Sequence, residues 1–264
     1  MKIGVFDSGL GGLGAVGALS RLRGDLDIIY FGDTARLPYG TRSAETVRRY
    51  AAQDAAFLLS KGVDAILIAC GTASSAALPA LAETLSVPVI GVVEPASREA
   101  VAASKNRRIG VLGTQGTIAS GSYERAIHAL CPEAEVISVA CPLLVPFVEN
   151  GEAGSELCRL ALTRYLERPK AAGCDTLLLG CTHYPLLKDD ILALWPNVET
   201  IDAGAAGARA IADAVAAPER ADLRGKVELY TSDFSQGFEE IASRFLPCEK
   251  VHFVPERVAV DTWN

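Results

Sequence analysis

The chain has no apolar stretch near the roughly 20 residues that span a bilayer, and no dense Lys/Arg run, Cys-x-x-Cys pair or low-complexity tract. Each absence excludes something. A formal net charge of −7 without a basic cluster makes duplex nucleic acid and anionic membrane surfaces poor partners. The opening Met1-Lys2 runs into Ile3-Gly4-Val5-Phe6-Asp7, where the aspartate ends the apolar stretch before it reaches a signal-peptide core of about 7 to 15 residues. A cytoplasmic protein is therefore expected. Seven cysteines, an odd number without the usual paired spacing, argue against a disulfide framework and a structural zinc site, so reduced thiols and no metal are expected.

What is present is ample apolar content, 50% of 264 residues, enough to bury the core of one large or two ordinary domains. Apolar runs at 3–6, 28–31, 65–70 and 88–93 alternate with helix-like segments at Ala15 to Arg23, Ser43 to Lys61 and Ser74 to Leu85. That alternation is βαβα and predicts a parallel sheet. The pattern restarts at Ile109-Gly110-Val111-Leu112-Gly113-Thr114, which matches Ile3 to Ser8 at an offset of 106 (109 − 3), and continues through 135–140, 176–181 and 198–202. After Ala208 come a helix, a strand at Val227 to Thr231 and a helix at Gly237 to Leu246. The expected fold is α/β, with two pseudo-symmetric domains, each a mainly parallel sheet flanked by helices, and an active site in the cleft between them. The first domain is expected at 1–93 plus 208–264, discontinuous, and the second at 94–207.

Two segments read almost as copies. Gly62-Val63-Asp64-Ala65-Ile66-Leu67-Ile68-Ala69-Cys70-Gly71-Thr72 is followed 111 residues later (181 − 70) by Gly173-Cys174-Asp175-Thr176-Leu177-Leu178-Leu179-Gly180-Cys181-Thr182-His183. Each is a buried-strand pattern that delivers one thiol at its carboxyl end, where open parallel sheets place their ligands. Two thiols flanking a carbon acid could invert it, one taking a proton and the other giving one. A pKa near 8.5, lowered by a helix N-terminus or a cation, would let thiol and thiolate coexist near neutral pH. Thr72, Ser74 and Thr182 suit helix starts, whose N–H groups bind carboxylates. Cys131, Cys141, Cys158, Cys174 and Cys248 lie outside the repeated strand tips and are assigned to packing or surface. His128 and His252 lack comparable context.

Gly9-Leu10-Gly11-Gly12-Leu13-Gly14 satisfies G-x-G-x-x-G, and Asp33 follows Gly14 by 19 residues (33 − 14). This resembles a dinucleotide fingerprint, but Asp7 at the strand tip would repel a pyrophosphate and the second half has no such loop. A tight turn around a small anion is the better reading. Asp33 is either an organiser of the following loop or a turn carboxylate.

Asp7-Ser8-Gly9, Phe31-Gly32-Asp33-Thr34-Ala35-Arg36-Leu37-Pro38-Tyr39-Gly40, the Cys70 segment and Gly180-Cys181-Thr182-His183-Tyr184-Pro185-Leu186 together resemble the cofactor-independent aspartate/glutamate racemase superfamily, its glutamate-specific members above all. The resemblance implies conversion of L-glutamate to D-glutamate for peptidoglycan, without pyridoxal phosphate or any other cofactor. It implies Cys70 and Cys181 as the acid/base pair, with Asp7, His183 and Glu149 assisting, Glu152 being close to the last. Substrate would be held by Asp7, Ser8, Tyr39, Gly40, Gly71, Thr72, Thr182 and His183. Relatives commonly carry Asn where this chain has Gly71, so Gly71→Asn is expected to restore a binding amide if the loop backbone tolerates a β-carbon there. His183 where aspartate racemases usually have Glu favours glutamate. Racemisation of aspartate, a non-catalytic amino-acid sensor and a cysteine hydrolase using Cys181 are the alternatives. Oligomeric state is open, a homodimer included.

Overall fold

The computed structural model describes residues 1–216, 225–234, 238–246 and 252–259. Ten strands are present among them: β1 (Lys2–Asp7), β2 (Asp27–Gly32), β3 (Ala65–Ile68), β4 (Val89–Gly91), β5 (Arg108–Gly113), β6 (Glu135–Ala140), β7 (Thr176–Leu179), β8 (Glu199–Asp202), β9 (Val227–Thr231) and β10 (His252–Arg257). They form two sheets, β10-β9-β2-β1-β3-β4 and β6-β5-β7-β8, and the pairings within both are parallel.

The internal repeat has a structural counterpart. Dropping β9 and β10 leaves the order β2-β1-β3-β4, which is the order β6-β5-β7-β8 of the second sheet. The paired Gly-x-Asp turns explain why the copies match. Gly62 and Gly173 adopt φ of +71° and +69°, a left-handed conformation that glycine accepts without penalty. The aspartates two residues on then tie the strands together at their start. Asp64 accepts from the Lys2 backbone N–H, and Asp175 from those of Lys105 and Asn106.

β3 and β7 are buried along their whole length, which is why they read as unbroken apolar runs. They stop at Ile68 and Leu179, two residues short of the cysteines, because the chain has already turned toward the next element. β9 pairs with β2, so Val227–Thr231 lies in the first sheet. β10 extends that edge and was not foreseen from the sequence. The helix Ala203–Ala214 packs on Leu13–Leu22 of the first half and on Val93–Ala103, and one apolar core runs through both halves at this seam. A second core lies under the helix Ala44–Ser60. Among the described residues no helix is long and apolar enough to cross a membrane.

Candidate active site

The carboxyl ends of β1, β3 and β7 converge on a cleft of about 400 Å³, counting the part open to solvent. Ser8, Tyr39, Gly40, Cys70, Gly71, Thr72, Glu149, Cys181, Thr182 and His183 all line it. The site singled out from sequence is thus brought together around one cavity, apart from Asp7, which lies behind the Gly9–Gly12 loop.

Cys70 is the residue that starts the helix Gly71–Thr84, and its sulfur accepts the Ala73 N–H at 3.4 Å. The thiol in turn donates to Ser8 Oγ at 3.6 Å. A helix N-terminus ordinarily lowers a thiol pKa. Here burial, and next the charge of Asp7, outweigh it and push Cys70 up to about 12. Cys70 is therefore a protonated thiol in this state.

Cys181 is differently placed. The single turn Tyr184–Leu187 follows it and leads into the short helix Lys188–Leu194, and the residue that begins that turn is His183, so Thr182 does not cap a helix as its residue type suggested. His183 supplies the local electrostatics instead. Its Nδ1 lies 3.9 Å from Cys181 Sγ and its Nε2 3.2 Å from Glu149 Oε1. Burial alone pulls the imidazole down, but the bonds to Cys181 and Glu149 prevail and push it up to about 10. An imidazolium beside a sulfur is the arrangement that stabilises a thiolate. Of the two nearby acids, Glu149 makes the contact, whereas Glu152 is exposed.

Asp7 is fully buried, and its Oδ2 accepts the backbone N–H groups of Gly9 and Gly12 at 3.2 and 3.1 Å. The glycine-rich loop does cradle an anion, and the anion is the chain's own carboxylate. Burial holds the Asp7 carboxyl above its usual range, partly offset by His183 and these N–H groups, and among the described residues Oδ1 has no hydrogen-bond partner. Gly11 has a packing reason: a β-carbon there would stand 2.4 Å from Thr182 Oγ1.

Gly71 requires a correction. A β-carbon there would stand 2.3 Å from the Gly180 carbonyl oxygen, so the cleft has no room for an asparagine without displacing one half against the other. Thr114 and Thr117 were missed. Their hydroxyls lie 2.9 and 3.3 Å from Thr72 Oγ1, and Thr114 lines the cleft. The repeat carried the signal, since Thr114 is the copy of Ser8 at the same offset of 106 (114 − 8).

Of the remaining cysteines, Cys141, Cys158 and Cys174 are buried, Cys131 is half-buried and Cys248 is outside the described residues. His128 contacts the Ala134 carbonyl at 3.0 Å, and the side chain of His252 is outside the described set. Among the described residues no group of three or more His, Cys, Asp or Glu has the arrangement of a metal site.

A family model described as Asp/Glu/Hydantoin racemase matches residues 16–211. The chain belongs to that family. It is 44% identical over 248 residues to the glutamate racemase of Geobacter metallireducens, covering 92% of each chain. Among solved structures it resembles a glutamate racemase isoform from Bacillus anthracis, with a TM-score of 0.90, 36% identity and 97% of each chain covered. A glutamate racemase from Francisella tularensis in complex with D-glutamate also matches at a TM-score of 0.90, with 33% identity and 99% and 98% covered. The family's fold, mixed α/β with two parallel sheets flanked by helices, is the fold of this chain.

Proposed function

We propose that this chain interconverts L- and D-glutamate without a cofactor, using Cys70 and Cys181 as the two acid/base groups. The observation that carries this reading is the unequal pair of thiols on one cleft. Cys70 holds its proton strongly, and Cys181 sits against His183. With a glutamate α-carbon between them, the sulfur of Cys181 takes the α-proton and Cys70 returns one to the opposite face. For the mirror substrate the roles exchange. The N-terminal end of the helix Gly71–Thr84 faces the cleft and favours the substrate carboxylate, whose charge grows as the α-carbon becomes a carbanion. His183 and Glu149 serve the Cys181 side, and Asp7 the Cys70 side.

Ser8, Tyr39, Gly40, Thr72 and Thr182 are proposed to hold the substrate, with Gly71 contributing backbone only. Residues 1–93 with 208–264, and 94–207, are proposed as the two units that carry one cysteine each. Supply of D-glutamate to peptidoglycan from the cytoplasm, with neither nucleic-acid nor membrane partners, completes the proposal.

Circular dichroism of L-glutamate incubated with the purified protein, without added cofactor, tests it directly. The signal should decay to that of the racemate. An unchanging signal with saturable glutamate binding would point to a sensor, and decay with aspartate but not glutamate would reassign the substrate.

A further inference from the structure

Behind the cleft wall made by Tyr39 and Gly40, two carboxyl groups, Asp33 and Asp54, are both fully buried. A single guanidinium lies between them. Arg36 places Nε 2.6 Å from Asp33 Oδ2 and a terminal nitrogen 2.9 Å from Asp54 Oδ1. Its other terminal nitrogen faces Gln53 Oε1, and its Cζ lies 4.2 Å from the centre of the Tyr50 ring. Tyr39 closes the cluster, its hydroxyl oxygen reaching Oδ2 of both Asp33 and Asp54, the latter at 2.9 Å.

Counting protons shows that one more is needed. A phenol carries a single hydrogen. Asp33 accepts from Arg36 Nε–H at Oδ2 and from the Ser232 hydroxyl at Oδ1, the Ser232 oxygen itself accepting the Ala35 N–H, and its Oδ2 also meets the Tyr39 hydroxyl. Among the described residues Asp33 has two donors besides Tyr39 and Asp54 has one, Arg36, so the negative charge is better held on Asp33, which takes the Tyr39 hydrogen. Asp54 Oδ1 accepts from Arg36. That leaves Asp54 Oδ2 and the Tyr39 oxygen 2.9 Å apart, two acceptors in a buried site unless a hydrogen lies between them.

We infer that Asp54 carries a proton on Oδ2 and donates it to Tyr39, and that this neutral cluster makes Asp54 a positioning residue for the Tyr39-Gly40 wall of the substrate cleft. Burial first, and the Asp33 charge second, hold the Asp54 carboxyl well above the usual carboxylate range, which agrees with the proton count. The groups facing Asp54 are Asp33, Arg36 and Tyr39 from the loop, with Asp7 from the end of β1. One guanidinium then balances one carboxylate. The wall has little slack to absorb a shift of Tyr39, because a β-carbon on Gly40 would already stand 2.6 Å from Thr114 Cβ. Thr114 in turn bonds Thr72 across the cleft.

The effect on substrate rests on the function proposed above; the protonation state does not. Asp54→Asn is the isostere of the protonated acid, its carbonyl accepting from Arg36 and its amide donating to Tyr39. It should fold, with KM and kcat for glutamate within about twofold of the parent. Asp33→Asn turns an amide donor toward donors and should raise KM about tenfold or more while kcat changes less. The infrared spectrum of the parent minus that of Asp54→Asn at neutral pH should show the carbonyl band of a protonated carboxyl. Loss of ionised carboxylate bands in that difference, an Asp54→Asn variant that fails to fold, or one whose KM rises as far as that of Asp33→Asn would each overturn the inference. If the parent protein does not racemise glutamate, the infrared result still decides the proton.

Discussion

Gly71 and Gly180 meet backbone to backbone, a β-carbon on the first standing 2.3 Å from the carbonyl oxygen of the second. Each glycine immediately neighbours one of the two cysteines, Cys70 or Cys181. The contact therefore sets how closely the two thiols can approach a substrate. Gly71→Asn should destabilise instead of tightening binding, because overpacking against a backbone carbonyl costs about 1–3 kcal/mol. We expect a thermal midpoint lower by several degrees and a KM for glutamate higher by about tenfold, the equivalent of 1.4 kcal/mol. Calorimetry and steady-state kinetics on one preparation check both. Tighter glutamate binding by a folded Gly71→Asn variant would show that the two halves separate here in the working state.

Replacing Cys70 or Cys181 by serine should lower racemisation about 10²-fold or more in both directions, since each turnover uses one group as base and the other as acid. Cys174→Ser is the control. That residue precedes β7 and is expected to leave the rate near its parent value, as polarimetry from each enantiomer would show. Comparable rates in all three variants would remove the two-thiol reading.

The strand tips were legible because buried parallel strands, with a left-handed glycine before them and a thiol after, leave a contiguous pattern in the chain. Gly62 to Thr72 and Gly173 to His183 are local, and so are Cys70, Cys181 and His183. What stayed hidden is contact between the halves. Whether a side chain fits at Gly71 depends on Gly180, 109 residues away (180 − 71), and the choice of Glu149 over Glu152 depends on where a short helix points. The glycine-rich loop misled for the same reason. Its N–H groups do face an anion, but the anion is Asp7, and only the folded loop shows that its cradle is already filled. β10 escaped notice as an edge strand far in sequence from β2 and β1, which organise its sheet.

Stability should fall with alkaline pH, in part through His183. Its folded pKa is raised from 6.5 to about 10, so the stabilisation is complete below pH 6.5 and is lost as pH rises toward about 10. Cys70, raised from 9.0 to about 12, acts in the same direction but only above pH 9. The interval from pH 6.5 to 9 lies below the thiol titrations, and the raised carboxyl of Asp54 contributes there to parent and variants alike, so the difference in slope between them reports the histidine. In that window His183→Gln should show a flatter dependence of thermal midpoint on pH than the parent. Glu149→Gln should fall between the two, since Cys181 still supports the imidazolium and the Glu149 side chain, 29% exposed, is partly screened. Equal slopes in the parent and His183→Gln would mean that His183 does not hold its proton in the folded protein.

In deuterium oxide the label should enter product at the α-carbon while recovered substrate stays nearly unlabelled early in the reaction. Cys70 and Cys181 occupy unlike surroundings, the first buried beside Ser8 and Asp7 and the second against His183 and Glu149. Nothing in that arrangement passes the abstracted proton directly from one sulfur to the other, so the group that removes hydrogen is not the group that supplies it. The sulfur that has taken the substrate proton holds ordinary hydrogen, and its return to the same face regenerates unlabelled substrate. The opposite thiol has exchanged with solvent before binding, and it delivers deuterium. Proton magnetic resonance of both enantiomers, separated after about a tenth of the conversion to racemate, reads this out. Equal labelling of substrate and product at that stage would require a single base and an intermediate free to turn over, and would exclude the opposed pair.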